Sequence, residues 1–281
     1  MKMKPCLFSL VMKDDPIEEV IRSAAEVGYE AVEIRGAAPH LTPQTTDDEA
    51  RRIREIAENY GIKIAAIGTY TGRYGIKNEK ECEETFNHFK RFVELADILG
   101  AEVIRHGPGG PPPYLSKPYH WLKEAEWMKR ACEFAENYGK KVAMEIHHNG
   151  LIEDATCALI FLSMVEMPNL GVLYDPGNMF LAAVDYEWKS IHSLRGKIFH
   201  VHIKDEAYVD AGITTTVRIG EISFKGTLLG EGMVNYREVL KELRNIGYDG
   251  YLSIETHTKE YDSRYIIEHD FMVLNSWLQE I

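Results

Sequence analysis

Residues 141–149, KVAMEIHHN, decide how the rest of the chain is read. An apolar run leads into a glutamate, and two histidines follow at once. Side chains of a strand alternate between faces, so Ala143, Glu145 and His147 fall on one side and Val142, Met144 and Ile146 on the other. A carboxylate and an imidazole are therefore expected on one face, two residues apart, where the strand is about to end. Three later segments have the same form: 170–178 (LGVLYDPGN), 198–205 (IFHVHIKD) and 250–257 (GYLSIETH). Each is an apolar run that finishes in groups able to hold a metal ion.

Between these runs the spacing turns helical. Residues 119–138 predict a helix closed by Gly139, and 154–166, a stretch near 185–194, 235–246 and 262–279 predict four more. The N-terminal half repeats the unit. Strand 5–11 is followed by a helix with Asp15 as N-cap, Pro16 at its first position and Gly28 at its end. Then come strand 31–36, helix 47–60, strand 63–71, helix 79–99 closed by Gly100, and strand 102–107 before a Pro/Gly-rich loop, 107–113. Residues 206–230, rich in Gly and Thr, break the rhythm and predict an insertion after the seventh strand, with a short hairpin in it.

Eight strands alternating with eight helices imply parallel strands and right-handed crossovers. The expectation is one α/β domain over residues 1–281, a single (β/α)8 TIM barrel. An open doubly wound sheet is the alternative, but no glycine-rich phosphate loop follows the first strand. Barrel chemistry gathers at the C-terminal ends of strands. His106, Glu145, Asp175, His202 and Glu255 all sit at such ends.

With 281 residues and 45% hydrophobic content, core burial is not limiting. The net charge of −12 argues against a nucleic-acid partner, which would want a basic surface. Cys6, Cys82, Cys132 and Cys157 are scattered without a CxxC pair, and the apolar run 6–12 is too short for a membrane span. A reduced, cytoplasmic setting without membrane attachment is expected.

Glu145, Asp175, His202 and Glu255 come from strands five to eight and can converge above the barrel. Three carboxylates and one imidazole suit one divalent ion, Mn²⁺ first, with Mg²⁺ or Co²⁺ close behind. Zn²⁺ is less natural without thiolates or several histidines. The plainer reading of any one of them is a polar residue on a solvated rim; four on consecutive strands weigh against it.

Together the strand-end glutamate, TyrAspProGlyAsn, HisValHisIleLysAsp and GlyTyrLeuSerIleGlu resemble the xylose-isomerase-like sugar phosphate isomerase/epimerase superfamily, across essentially the whole chain. The resemblance implies that Glu145, Asp175, His202 and Glu255 hold one metal, with Glu145 and Glu255 facing each other across the substrate as the acid/base pair. A metal holding a carbonyl and its neighbouring hydroxyl would stabilise the enediolate left when the adjacent C–H proton departs.

The chain also departs from the epimerases of that superfamily. Asn178 stands where they carry a histidine three residues after the aspartate, and Tyr208 where they carry an arginine six residues after the ligand histidine. His147 is a candidate base near neutrality, or else a histidine bonded to a neighbouring loop. His106 resembles a metal-binding position of endonuclease IV. That family also needs histidines where this chain has Ile67-Gly68-Thr69 and Asn178, so a nuclease is disfavoured and His106 is expected to touch substrate. Asn178, Lys204 and Arg35 are further candidate substrate contacts, and Glu33 and His257 weaker pocket candidates. His200 reads as a hydrogen-bonded core histidine. Tyr119, Trp121 and Trp127 read as core or interface.

The leading expectation is a metal-dependent isomerase or epimerase of a sugar or keto-sugar. A lyase resembling the large subunit of C-glycoside-cleaving enzymes, eliminating the aglycone from a 3-oxo-glucoside with His147 as base, is the alternative. A non-catalytic sugar- or metal-binding barrel is the third. A homo-oligomer, or a complex with a small partner subunit, is expected.

Overall fold

The computed structural model describes residues 2–210, 217–219 and 222–281. Its core is a closed barrel of eight parallel strands: β1 (Lys4–Phe8), β2 (Ala31–Arg35), β3 (Lys63–Gly72), β4 (Val103–Gly107), β5 (Lys141–Glu145), β6 (Leu170–Tyr174), β7 (Ile198–Ile203) and β11 (Tyr251–Ile254). They neighbour one another in chain order, and β1 closes on β11 through the register Lys4↔Tyr251 to Leu7↔Ile254. A register irregularity at Val32/Glu33 shifts β3 along β2. Helices α1 (Ile17–Val27), α2 (Asp47–Asn59), α3 (Glu79–Leu99), α4 (Pro118–Glu136), α5 (Ala155–Val165), α6 (Pro176–Leu181), α7 (Trp188–Ser193), α8 (Tyr236–Asn245) and α9 (Ser263–Glu280) return the chain.

The helix ends follow from local chemistry. Thr46 and Asn78 close reciprocal capping boxes with Glu49 and Glu81, satisfying amides that the first turn leaves open. Gly28 and Gly100 end α1 and α3 in the left-handed region. The start of α1 differs from expectation by one residue: Pro16 takes the cap position and Asp15 makes no cap bond.

Inside the barrel, Ala66, Val103, Ala143 and Leu173 form a layer of small and branched side chains. Outward-facing residues such as Val142, Met144 and Val172 pack against the helices in the main core. Three strands are shorter than the sequence suggests. β1 stops at Phe8 and turns through a single 3-10 helix, Ser9–Met12. β5 stops at Glu145 and β11 at Ile254, so the chain bends as soon as each chemical group is delivered. A further short helix, α6, begins immediately after Asp175.

After β7, strands β8 (Asp205–Val209), β9 (Val217–Ile219) and β10 (Ile222–Thr227) make a three-stranded antiparallel sheet ordered β8-β10-β9. This is the region expected to be an insertion; its residues 211–216, 220 and 221 lie outside the described residues. Asp205 ties the return to the barrel, its carboxylate accepting from the amides of Gly230, Gly232 and Val234. Among the described residues no helix is long and apolar enough to cross a membrane.

Candidate active site

Strand parity brings Glu145, Asp175, His202 and Glu255 to one point. Each ends, or directly follows, an inward-facing row of its strand, and each is at most 8% exposed. One donor atom from each lies within 4.8 Å of the others. His202 Nδ1 is 3.1 Å from Glu255, 3.4 Å from Glu145 and 3.7 Å from Asp175.

The ring of His202 is held from behind. Its Nε2–H donates to Glu33 Oε2 at 3.0 Å, and the same oxygen accepts from His200 Nε2 at 2.9 Å and Ser253 Oγ at 2.7 Å. A carboxylate only accepts, so this bond fixes the proton on Nε2 and turns Nδ1 toward the three carboxylates. There Nδ1 is buried without a well-formed hydrogen bond. Burial opposes a charge on this ring, but Glu33 and Glu255 outweigh it and raise its pKa well above the usual range. Glu33 itself is held low against its burial by the two histidines. Glu33 was legible only as a pocket candidate; the structure makes it the anchor of both β7 histidines, and His200 is the core histidine expected.

Charge counting favours a cation. Four buried carboxylates (Glu33, Glu145, Asp175 and Glu255) face Arg105, Lys204 and, without a metal, the His202 imidazolium. With His202 neutral, as a metal ligand must be, two negative charges are left over. One divalent ion would balance the difference. Lys204 Nζ lies 2.9 Å from Asp175 and 3.0 Å from Glu255, which offset its burial and raise its pKa. Against their own burial, Arg105 holds Glu145 low, and Lys204 and His202 hold Glu255 low, so both carboxylates are ionised. Gly177 lets the start of α6 close on β7, since a Cβ there would sit 2.7 Å from Lys204 Cγ.

Above the cluster lies a cavity of about 410 Å³. Glu145, Glu255, His147 and Lys204 line it, as do Tyr70, Arg73, Arg105, His148, His257 and the 107–110 loop. His147 reaches it by another route than expected. It stands beyond the end of β5, in a turn closed by Gly150 N donating to its carbonyl and by Asn149 at φ 60°. Its Nδ1 lies 2.6 Å from the His148 carbonyl, which can only accept, so the proton is on Nδ1 and Nε2 is the free basic nitrogen. His148 donates to Asn178 Oδ1, and burial lowers its pKa to about 4, with His147 and Lys204 adding to the effect.

Three expected substrate contacts stand elsewhere. His106 is fully buried, with Nδ1 on Thr71 Oγ1 and Nε2 on Tyr74 OH, both at 2.9 Å. The parity that puts Val103 inside the barrel turns His106 outward to the helices. It puts Arg105 inside, and this residue the sequence reading missed. The Arg105 guanidinium lies 3.4 Å from Glu145, and its Nε donates to the Thr69 carbonyl. Asn178 is also fully buried, donating to Asp175 Oδ2 at 2.8 Å, so it orients a carboxylate and does not line the cavity. Arg35 turns to the Ala38 carbonyl, beside the ring of Tyr70. Trp127 is core, stacked on Tyr74, while Tyr119 is exposed. Tyr208, at the epimerase arginine's position, packs on Phe180 and Phe224.

Comparisons with known proteins agree with this architecture. Fructoselysine 3-epimerase of Shigella flexneri is 27% identical over 267 residues, covering 91% of each chain. The 3-dehydroshikimate dehydratase of Bacillus anthracis is 25% identical over 263 residues, covering 91% of this chain and 90% of that one. The crystal structure of the IOLI protein with a bound zinc atom superposes with a TM-score of 0.82 at 20% identity, over 99% of both chains. The model of the xylose isomerase-like TIM barrel family matches residues 21–277. With a closed eight-stranded barrel and that match over most of its length, the chain belongs to the xylose isomerase-like TIM barrel family.

Proposed function

We propose that this barrel is a divalent-metal-dependent isomerase or epimerase of a sugar or keto-sugar. The observation that carries the reading is the cavity floor, where two ionised glutamates, Glu145 and Glu255, line the cavity and belong to one cluster of metal donors. Glu145, Asp175, His202 and Glu255 would hold the ion, Mn²⁺ first, with Mg²⁺, Co²⁺ or Zn²⁺ as alternatives. The ion would supply Lewis-acid polarisation of a carbonyl and the hydroxyl beside it.

The chain's own residues supply the rest. Glu145, ionised beside Arg105, takes the proton from the hydroxyl-bearing carbon next to the carbonyl. Glu145 can return that proton to the neighbouring carbon, which isomerises the sugar. Glu255, ionised at rest on the other side of the barrel, takes up a proton from solvent and delivers it to the opposite face, which epimerises it; the proton held by Glu145 then leaves to solvent. Lys204 donates to an oxygen that gains negative charge, and Arg105 keeps Glu145 aimed. The likeness to a fructoselysine 3-epimerase supports this chemistry.

A second reading has its own observation. His147 presents a free Nε2 to the cavity while Tyr208 and Asn178 remove two epimerase side chains, so elimination with His147 as base fits the same floor. The dehydratase relative is consistent with it. The exposed side chains Tyr114, Leu115, Tyr119 and Leu122 suit self-association or a small partner subunit.

Proton NMR in D2O tests the two together. The Mn²⁺-loaded protein would be incubated with free ketoses, inososes, hydroxypyruvate and 3-oxo-glucosides, and the metal then removed for observation. Deuterium at one carbon of an intact sugar, with a new isomer, supports the isomerase. A released aglycone with an unsaturated keto-sugar supports the lyase instead. No exchange with any of them counts against both.

A further inference from the structure

The cavity has two unlike poles. Its acidic groups, Glu145 and Glu255, both belong to the donor cluster on the floor. The wall formed by the loops after β3 and β4 carries Arg73, Gly109 and Gly110 and no carboxylate. Resting on the isomerase reading, the geometry points to a substrate whose end remote from the reacting carbon carries an anionic group, a carboxylate or a phosphate, held by Arg73.

Arg73 is placed with care. It adopts a left-handed backbone, φ 62° and ψ 39°, uncommon for a residue with a side chain. Its N–H donates to the Gly107 carbonyl at 3.0 Å, and Gly72 before it approaches the same carbonyl so closely that a Cβ would lie 2.2 Å away. The side chain then runs across Gly109, where a Cβ would stand 2.3 Å from Arg73 Cγ and 2.5 Å from its Nε. Below the turn, Glu124 accepts from Gly75 N at 2.7 Å, and Lys77 Nζ donates to the Gly72 carbonyl at 2.9 Å. These contacts fix the turn beneath Arg73, whose exposed side chain lies along Gly109.

The head makes no close ion pair with a carboxylate among the described residues, its nearest acidic influence being the buried Glu124, although the chain carries a net charge of −12. Arg105, the other arginine of the cavity, is occupied by Glu145. The amides of Gly109 and Gly110, beside Arg73, donate to no acceptor in the described structure. A planar guanidinium next to free backbone amides is a recognition set for carboxylate or phosphate oxygens.

The test uses three unreactive six-carbon probes: glucitol, gluconate and 6-phosphogluconate. Their affinities for the whole protein would be measured by calorimetry, without added metal and at fixed ionic strength. Binding is expected to favour at least one anion over glucitol by about ten- to a hundredfold, the worth of one charge-assisted contact. Gluconate and 6-phosphogluconate distinguish a carboxylate from a phosphate end. Arg73→Gln should collapse the preference. Gly109→Ala, which displaces the arm without removing it, should do the same, and Arg73→Lys should restore part of it. Equal affinity for all three probes, or a preference that survives Arg73→Gln, overturns the inference. Because the probes do not react, a preference lost with Arg73 would stand even if no sugar exchanged deuterium.

Discussion

Glu33→Gln perturbs the candidate metal site without removing a proposed metal donor. Glu33 Oε2 accepts from His200, His202 and Ser253 at 2.7–3.0 Å, in a place with no solvent exposure. A glutamine keeps the shape but loses the charge: with its amide oxygen at the Oε2 position it accepts the same protons as a weaker, neutral acceptor, and with its NH2 there it opposes them. Hydrogen bonds to a charged acceptor contribute about 1.5–3 kcal/mol each, so the loss in apo stability is on the order of 3 kcal/mol. Freed from Glu33, His202 no longer keeps its proton on Nε2, and Nδ1 is less basic toward a metal. Partners of this kind change metal affinity by about 10–100-fold. The assay is Mn²⁺ affinity by chelator competition, with thermal unfolding alongside. At a metal concentration of about 100 times the wild-type Kd, binding stabilises the native state by about 2.7 kcal/mol, roughly 5–10 °C at this chain length. A variant binding 100-fold more weakly would show about 1 °C. Ser253→Ala, which removes one neutral donor, should leave the affinity within about threefold. A folded Glu33→Gln protein that binds Mn²⁺ like the wild type would refute the role given to Glu33.

Other expectations follow from the same geometry. Glu255→Gln and Glu145→Gln should each lower turnover by at least about a thousandfold, because each removes a donor and a proton carrier at once; steady-state kinetics on any substrate found by NMR checks this. His147→Ala should cripple elimination and only weaken isomerisation, so full elimination activity in that variant would remove His147 as base. Glu124 is raised to about 8 by burial, opposed by its bonds to the Gly75 and Tyr74 amides and by Lys77 and Arg73. Its folded pKa lies above the unfolded one, so the native state holds the extra proton, and stability falls between about pH 4.5 and 8. Relative to wild type, Glu124→Gln should therefore unfold at a higher temperature at pH 8.5 than at pH 5; a difference independent of pH would contradict it.

Much of the barrel was legible because its signals are local. Strand and helix alternate with clear caps, and Glu145, Asp175, His202 and Glu255, the four candidate donors, stand at the same place in four successive units. The errors came from two sources. Parity was applied to β5 but not to β4, where it would have exchanged His106 for Arg105. And strand ends were extended through the chemical residues, whereas β5 and β11 stop at or before theirs, so His147 is placed by a turn. The roles of Glu33 and Arg73 depend on side chains that meet across the barrel or between loops. Glu33 finds Ser253 220 positions away, and Arg73 is defined by a glycine in the next loop. Spacing along the chain carries no trace of such meetings.

Lys204 raises a question of competition at the floor. Its ammonium lies within 3.0 Å of both Asp175 and Glu255, two of the four donors proposed for the ion. Both cations want the same oxygens, and at such distances the repulsion between them is large even in a polarisable interior. Metal binding therefore requires the ammonium to move off, toward the cavity that Lys204 already lines, where it can meet a substrate oxygen. Lys204→Met keeps the length of the side chain and removes the rival charge. The apo variant should be less stable, since Asp175 and Glu255 lose their partner. Its Mn²⁺ affinity should rise by about tenfold, or about 1.4 kcal/mol, and the stabilisation by metal should grow with it. Turnover should fall, because the group that meets the substrate oxygen is gone. If Lys204→Met instead binds Mn²⁺ more weakly, the ammonium supports the ion and does not compete with it, and the charge count at the floor would have to be drawn again with Lys204 as part of the holo site.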